Sequence, residues 1–350
     1  MNRLILAVGL ALCSCTPAFA DKLADAQWVC SHLDNPNYTP SDIAWAKTLV
    51  PDCGSPAPAP PPTPAPSATK STNAAGFLKA LANAGGGDVI TLAPGTYSVN
   101  LTGYKFAKPV ILQGQPGVKF KPGVIKNIAN LTFRGVTFQG TAKMGSGAAI
   151  VRLETSEGIS FEASAFVNSD HTGWGVYARS SGNSNIRIVG NIFTDLSRGV
   201  VFYGGAGIQT EGNSFSGIGD DCVNYSNLVP FGPVRNTISR NTARNSFYNP
   251  GSHRDFAQLM ANRGVDVIAN DLWFDSQAIN DFGSPKPNTD LIVRGNIIRL
   301  INYPNSIRFD VPGTTGAAND NQVFSGKVKA IFRLGGLKSD KSNRVDGKAF

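Results

Sequence analysis

The sequence predicts an all-β parallel β-helix, a solenoid in which each coil of the chain stacks on the next. A short unit close to Asn-x-x-Ile/Leu-x-x-Gly-Asn-x-Phe recurs through the middle of the chain. The apolar residue that closes each unit falls at positions 138, 166, 193, 215, 243, 272 and 298, in steps of 28, 27, 22, 28, 29 and 26 residues. The 350 residues include 38 Gly and only 4 Glu, a composition that favours strands over helices.

A repeat of this length with short alternating strands indicates one coil per repeat. No coil can bury its own apolar face, so the coils must stack. Asparagines at equivalent places in successive units, such as Asn191, Asn213 and Asn241, predict a stacked amide ladder. A leucine-rich repeat would need a denser leucine skeleton, and an ankyrin repeat would need helices.

The N-terminus has the features of an export signal. Residues 1–20 contain Arg3, an apolar run and Ala18-Phe19-Ala20 as a cleavage site. The rival interpretation is a lipoprotein signal with anchoring at Cys15. Both predict a secreted or periplasmic protein, and residues 1–20 are too few to span a membrane as a mature helix.

Two short segments precede the repeat. Residues 21–54 predict a small helical module in which Cys30 and Cys53 form a disulfide, as expected outside the cytoplasm. Such a bridge contributes about 3 kcal/mol. Residues 55–72 are proline-rich and predict a semi-rigid linker.

The main domain is predicted at residues 73–350. An amphipathic helix over 74–84, with Phe77, Leu78 and Leu81 on one face, precedes a coil of the form Gly-Asp-x-Ile-x-Leu-x-x-Gly-x-Tyr that ends at Tyr97.

This helix and the coil that follows it resemble the start of the pectate-lyase-like right-handed β-helix superfamily, and the resemblance covers about residues 73–325. The resemblance implies a right-handed, single-stranded parallel β-helix with an N-terminal capping helix. The superfamily includes lyases, hydrolases, epimerases, tailspikes and adhesins. The basic residues 326–350 are interpreted as a solvated tail, with capping of the last coil as the alternative.

The basic charge has two interpretations of equal weight, a polyanionic partner or simple solubility. The net charge is +8, and it resides in the main domain. An acidic polysaccharide fits this balance, whereas no nucleic-acid partner and no transmembrane segment are expected. The chain is expected to be monomeric.

Aligning the coils on their closing apolar residues predicts two columns on one wall. The inward column contains Val200, Cys222, Phe256, Ala278 and Ile307. The outward column contains Asp221, Asp255 and Gln277. Asp220 joins Asp221 only if it lies in the preceding turn, which Gly217 and Gly219 permit.

A polar column of Asn224, Gln258 and Asn280 follows two positions further on. Strict alternation points these amides inward as a ladder, and this orientation is favoured. A slip of one residue would instead place them on the cleft.

The candidate catalytic residues are Asp220, Asp221, His253 and Asp255. Crowded carboxylates raise one pKa and leave an acid beside a base, as glycoside hydrolysis requires. The segment Asp220-Asp221-Cys222-Val223 resembles the catalytic strand of polygalacturonases. This resemblance implies catalytic roles for both aspartates and an assisting role for His253. The chain departs from that family at Gly199, where a third Asp is expected, and around His253.

A lyase would instead need a base and a partner that neutralises the uronate, either cations or Ca²⁺. The base candidates are His253, Arg254, Tyr225 and Arg308. The predicted substrate-binding residues are Arg254, Gln258, Tyr225, Gln277, Arg308 and Trp174. No metal ligands are assigned. In the structural alternative, the acidic and amide residues only satisfy turns.

These observations predict a secreted protein that acts on an acidic polysaccharide as a lyase or glycoside hydrolase. The alternatives are a uronan epimerase and a non-catalytic glycan-binding protein or adhesin.

Overall fold

The chain forms a right-handed parallel β-helix. A computed structural model describes residues 44, 47–48 and 69–350, except 146, 245–253, 275–276, 282, 302–303 and 327. Each coil contributes strands to three faces, and almost every strand pairs in parallel with the equivalent strands of its neighbouring coils. The fold class predicted from the repeat is confirmed.

The first face carries the candidate site. Its strands are β4 (Leu101–Thr102), β7 (Gly123–Lys126), β10 (Ala149–Glu154), β13 (Trp174–Ala178), the start of β16 (Arg198–Glu211), β18 (Val223–Val229), β21 (Asp255–Met260), β24 (Gln277–Asn280), β27 (Asn305–Arg308) and β30 (Ile331–Arg333).

The second face follows the first around each coil. Its strands are β1 (Thr69–Thr72), β2 (Val89–Leu92), β5 (Lys105–Gly114), β8 (Ala129–Arg134), β11 (Glu157–Glu162), β14 (Ser184–Val189), the end of β16, β19 (Asn236–Ser239), β22 (Arg263–Ile268), β25 (Thr289–Arg294), β28 (Gly316–Asn319) and β31 (Leu337–Lys338). Because β16 is 14 residues long and pairs on both faces, the first and second faces join into one sheet.

The third face is a separate sheet. Its strands are β3 (Gly95–Ser98), β6 (Val118–Lys121), β9 (Thr137–Gln139), β12 (Ala165–Val167), β15 (Ile192–Thr194), β17 (Ser214–Ser216), β20 (Thr242–Arg244), β23 (Asp271–Phe274), β26 (Ile297–Leu300), β29 (Gln322–Phe324), β32 (Arg344–Val345) and the antiparallel β33 (Lys348–Ala349).

The predicted column of closing apolar residues lies in register on this third face. Phe138 pairs with Phe166, Phe166 with Phe193, and Phe193 with Phe215. The rings stack with centroids 4.6 Å apart for Phe138 and Phe166, and 4.7 Å apart for Phe166 and Phe193. All four rings are buried, so the repeat period is the period of the core.

The predicted asparagine ladder is also present. Asn241 Oδ1 accepts hydrogen bonds from the backbone N and Nδ2 of Asn213, at 2.9 and 3.0 Å. Asn241 Nδ2 donates to Asn270 Oδ1 and to the backbone O of Thr210, each at 3.0 Å. The same arrangement recurs from coil to coil as far as Asn343. The buried turns between the second and third faces are thereby satisfied.

The two ends of the domain differ from the predictions. Helix α1 spans Phe77–Ala82 and buries Phe77 and Leu81, whereas Leu78, assigned to the same apolar face, is 51% exposed. The strand Thr69–Thr72 pairs with β2, so the β-helix begins inside the predicted linker.

The basic C-terminal segment is not the solvated tail that was expected. Strands β30, β31 and β32 pair with the coil before them and form a further turn of the solenoid.

In the part of the chain described, no helix has the length and apolar character needed to cross a membrane.

Candidate functional site

The candidate site lies on the first face, where charged side chains stack across successive coils. Val200 pairs with Val223, which brings Arg198 into the same column as Asp221. Asp255 then pairs with Gln277. The predicted alignment of Val200 with Cys222 is therefore wrong by one residue, and so is that of Ala278 with Ile307, because Ile307 pairs with Ile279.

A glycine at position 199 has a packing reason. A Cβ on Gly199 would lie 2.4 Å from the carbonyl oxygen of Cys222 and 2.6 Å from the ring of Phe215. No side chain fits there, so the third aspartate of the polygalacturonase pattern has no room at this position.

Asp220 lies in the turn before β18, as required for it to join Asp221. Gly217 begins this turn with φ +62°, in the left-handed region, where a side chain would be strained. A Cβ there would also lie 2.3 Å from Asp195 Oδ1. The turn therefore depends on glycine.

Arg198 holds these two aspartates together. Its Nε and Nη2 lie 2.7 and 2.6 Å from Asp220 Oδ2. Its Nη1 lies 3.6 Å from Asp221 Oδ2 and donates a hydrogen bond of 3.1 Å to the hydroxyl of Tyr203. We refer to Arg198, Asp220, Asp221 and Asp255 as the carboxylate cluster.

Most of the carboxylate cluster is withdrawn from solvent. Asp221 is 1% exposed and Asp255 is fully buried, whereas the side chain of Asp220 retains 16% exposure. Burial, and then the charge of Asp255, raise the pKa of Asp221 well above its usual value, although Arg198 opposes the shift. Burial lowers the pKa of Arg198, but the charges of Asp221 and Asp220 outweigh it and the net shift is upward.

The amide column faces outward, so the favoured inward ladder is wrong for these residues. Cys222 and Val223 both pack into the hydrophobic core, and this break in alternation returns Asn224 to the side of Asp221. Asn224 Nδ2 donates to Asp221 Oδ2 at 2.8 Å and also to Gln258 Oε1. Asn280 pairs with Gln258 in register. Asn224 and Asn280 are 1% and 0% exposed, so only the half-buried Gln258 of these three amides reaches solvent.

Tyr225 is not available for substrate binding or for base chemistry. Its ring is fully buried, and its hydroxyl lies 2.7 Å from the hydroxyl of Thr210 inside the solenoid. Burial raises its pKa. The prediction for Tyr225 is wrong because it alternates with the outward Asn224.

The other predicted binding residues are spread along the face. Gln277 is 3% exposed and accepts a hydrogen bond from Asn305 Nδ2 at 2.9 Å, and Arg254 is 8% exposed, so neither presents a free binding surface. Arg308 is half-buried and pairs with Asp310. Trp174 lies beside the carboxylate cluster, with Arg198 Cζ 5.2 Å from its ring centroid.

Several predictions concern residues outside the described ranges. These residues are His253, Cys30 and Cys53. Cys222, which was predicted to point inward, is a buried free thiol, and burial raises its pKa.

A groove of about 930 Å³ adjoins the carboxylate cluster on the same face. Its charged and aromatic lining consists of Lys126, Arg152, Glu154, Trp174, Tyr177, Arg179 and Tyr203. We refer to these residues as the cationic groove, since they comprise three cations and one anion. Glu154 pairs with Arg152 at 2.9 Å and with Lys126 at 3.4 Å.

Aromatic contacts connect the groove to the carboxylate cluster. Trp174 meets Tyr177 edge-on with centroids 4.7 Å apart, and Tyr177 meets Tyr203 with centroids 5.9 Å apart. Tyr203 and Trp174 both contact Arg198. A ligand in the groove would therefore lie next to Asp220.

The sequence offered one signal for the groove residues that was not used. The outward column that contains Asn224 continues through the preceding coils. Asn224 pairs with Val201, Val201 with Tyr177, and Tyr177 with Arg152. Extending that column toward the N-terminus would have led to Arg152 and Tyr177. Among the residues that the structure describes, no group of three or more His, Cys, Asp or Glu side chains could hold a metal ion.

Comparison with known proteins gives structural likeness only. No family model matches the chain, and no curated protein gives a significant match. Among solved structures, an alginate lyase from Paenibacillus sp. str. FPU-7 superposes with a TM-score of 0.51 at 13% identity, covering 77% of this chain and 99% of that one. At this identity the likeness supports the parallel β-helix fold alone.

Two further structures have lower scores. PfbA, a surface adhesin of Streptococcus pneumoniae, has a TM-score of 0.47 at 11% identity, covering 71% of this chain and 79% of its own. The PL6 family alginate lyase AlyGC has a TM-score of 0.27 at 12% identity, covering 79% of this chain and 53% of its own.

Proposed function

We propose that this chain is an exported carbohydrate-active β-helix protein that binds an acidic polysaccharide on its first face and cleaves it by elimination. The observation that carries the proposal is the junction of the cationic groove with Arg198 through Tyr203 and Trp174. We also propose membership of the pectate-lyase-like superfamily, on the first-coil motif ending at Tyr97 and the capping helix α1.

The lining of the groove suits a polyuronate. Lys126, Arg152 and Arg179 outnumber Glu154, and Arg179 has no carboxylate partner among the described residues. A uronate carboxylate would pair with Arg179 in a bidentate geometry, and the rings of Tyr177 and Trp174 offer apolar surface to the sugars. Strands of neighbouring coils lie about 4.8 Å apart, which suits an extended polymer lying along the solenoid axis.

The accessibility of the carboxyls favours elimination over hydrolysis. Inverting or retaining hydrolysis needs two carboxyls that reach the glycosidic bond. Asp221 and Asp255 are 1% and 0% exposed. The two more accessible carboxyls, Asp220 and Glu154, are engaged by Arg198 and Arg152.

Elimination requires one proton to leave C5 and another to reach the leaving oxygen. The C5–H bond and the C4–O4 bond break, a C4–C5 double bond forms, and O4 is protonated. Neutralising the uronate by Arg152 and Arg179 acidifies C5–H. Tyr203 is our candidate for the proton transfers, because Arg198 Nη1 donates to its oxygen and a cationic donor stabilises negative charge that develops there.

The earlier candidates keep defined places in this proposal. His253 remains a candidate base, and Asp220 is the candidate that fixes Arg198 beside Tyr203. Asp221 and Asp255 are proposed to act through Arg198 rather than on the sugar. Ca²⁺ is a further proposed neutraliser of the uronate, which calcium titration of the cleavage rate would test.

The test is incubation of the purified protein with alginate and with polygalacturonate. Elimination gives unsaturated uronate ends that absorb in the ultraviolet, together with new reducing ends. Reducing ends without that absorbance would indicate hydrolysis and would contradict the elimination. Binding to these polymers with no product of either kind would leave a glycan-binding protein.

A non-catalytic glycan-binding role is the second candidate. The observation that favours it is the burial of Asp221 and Asp255, which withdraws two of the predicted catalytic carboxyls from any ligand. Both candidate functions require the Arg152→Ala/Arg179→Ala variant to bind the polymer more weakly than wild type. Unchanged binding would mean that these arginines have only a structural role.

A further inference from the structure

A second cluster of aromatic and basic side chains lies on the third face of the solenoid. Trp273 pairs with Arg299, and Arg299 pairs with Phe324, while Arg244 lies next to Trp273 in the preceding coil. Arg244 Cζ lies 5.5 Å from the Trp273 ring centroid, and Arg299 Cζ lies 5.6 Å from the centroids of both Trp273 and Phe324. We refer to these four residues as the arginine–aromatic ladder.

One carboxylate orients both arginines. Arg244 Nη2 lies 2.8 Å from Asp271 Oδ2, and Arg244 Nη1 donates to the backbone O of Asp271 at 3.0 Å. Arg299 Nη1 contacts the other oxygen, Oδ1. Both guanidinium groups are therefore held in place before any ligand arrives, which reduces the entropy lost on binding.

The rings of the ladder remain open to solvent. Trp273 is 49% exposed and Phe324 is 43% exposed. Large aromatic side chains that remain exposed and aligned on a fixed surface mark interaction sites. The core does not need these rings, because the inward positions of their strands are filled by Leu272 and Val323.

The charge of the third face identifies the class of ligand. The charged side chains on strands β3 to β32 of this face are Lys119, Lys121, Arg244, Asp271, Arg299 and Arg344. Five are cations and one is an anion, so the face complements a polyanion.

We propose that the arginine–aromatic ladder is a second binding site for an acidic polysaccharide, separate from the groove on the first face. Sugar rings stack on Trp273 and Phe324, and uronate or sulfate groups meet Arg244 and Arg299. Trp273 and Phe324 are two coils apart, roughly 10 Å at the strand spacing of a sheet. Two consecutive pyranose units of an extended chain cover a comparable length. Binding of the polymer at the ladder does not depend on its cleavage in the groove.

The test compares Trp273→Ala/Phe324→Ala with wild type by affinity electrophoresis in gels containing alginate, polygalacturonate or neutral dextran. The control is Ile192→Ala, which removes a 53%-exposed apolar residue from the same face. The double variant is expected to weaken binding to the two acidic polymers about tenfold, equivalent to about 1.4 kcal/mol. Ile192→Ala should bind like wild type. Unfolding midpoints close to wild type would confirm that both variants are folded.

Other outcomes overturn the proposal in distinguishable ways. Equal retention of wild type and the double variant would refute the ladder while leaving the groove untested by this experiment. If neutral dextran retained the wild-type protein as strongly as the acidic polymers do, the role of charge would be refuted. A wild-type dimer that the double variant converts to a monomer in size-exclusion chromatography would identify the face as a contact between copies. Loss of binding in Arg152→Ala/Arg179→Ala but not in the ladder variant would locate all binding in the groove and refute the second site.

Discussion

Arg198 lies in the same cross-coil column as Asp221, with Nη1 3.6 Å from Asp221 Oδ2. The same guanidinium also binds Asp220 and Tyr203. It therefore offsets part of the negative charge of Asp220 and Asp221 and links these two carboxyls to the cationic groove. The stability of this region and the chemistry proposed for it depend on one side chain.

Replacing Arg198 should destabilise the fold. Arg198→Ala leaves Asp220 and Asp221 without their cation, and removal of one partner from a buried ion pair costs about 3 kcal/mol. The free energy of unfolding, measured by urea denaturation, is the test. Arg179→Ala, which removes an exposed arginine from the same face, is the control and should be near neutral. Equal effects of the two substitutions would contradict the structural role of Arg198.

Asp221 should make stability fall as pH rises. Its pKa is raised in the folded state, so between the unfolded value of about 4 and the higher folded value the native state binds more protons than the unfolded chain. The stabilisation from this group is fully present below about pH 4 and is lost as pH rises through the folded pKa.

Asp221→Asn should flatten this part of the pH profile of unfolding free energy. Asp195→Asn, at a carboxyl with 44% exposure, is the matched control. An unchanged slope in Asp221→Asn would rule out Asp221 as the source.

The asparagine ladder should be sensitive at Asn241. Asn241→Ala removes two acceptor and two donor contacts at once. It leaves the buried backbone N–H of Asn213 without its acceptor, whereas Asn270 Oδ1 still accepts from the backbone N–H of residue 241. A loss of about 2 kcal/mol or more in unfolding free energy is expected. Ser214→Ala, at an exposed position of β17, the strand that follows Asn213 in the preceding coil, should cost far less. A small effect at Asn241 would indicate that water replaces the ladder contacts.

Tyr203→Phe should reduce the rate of elimination and leave polymer binding nearly unchanged. The substitution removes the hydroxyl that accepts from Arg198 and retains the ring. Loss of a general acid or base lowers turnover by about 10²- to 10⁴-fold. The measurement is kcat and KM on polyuronate. Tyr177→Phe is the comparison, since Tyr177 lines the same groove. A change confined to KM would assign Tyr203 to binding alone.

Binding in the cationic groove should depend on salt. Exposed charge pairs are screened over about 8 Å at physiological ionic strength, so affinity for polyuronate should fall as salt rises. Arg152→Ala/Arg179→Ala should reduce both affinity and salt dependence. Arg263→Ala removes an exposed arginine from the second face and should change neither. A salt dependence that persists in the groove variant would locate the binding cations elsewhere.

Before the structure, the sequence already specified the period of the solenoid. Each coil must bury one apolar residue against its neighbours, and that requirement repeats visibly at Phe138, Phe166, Phe193 and Phe215. The asparagine ladder was predictable for the same reason, because a buried amide has to recur in every coil. Asp220 and Asp221 were also correctly assigned to one wall.

Only the tertiary structure decided the details of that wall. The predicted register placed Gly199 beside Asp221, and the actual pairing places Arg198 there. Turn lengths differ between coils, so sequence spacing cannot resolve a shift of one residue.

The successive burial of Cys222 and Val223 then turned Asn224 outward and Tyr225 inward. Strict alternation could not reveal this local bend, because it arises where the strand enters the turn and packs against the coils on both sides. The burial of Asp221 and Asp255 likewise depends on neighbouring coils that are distant in sequence. Local patterning therefore determined the fold, and packing between coils determined which side chains reach solvent.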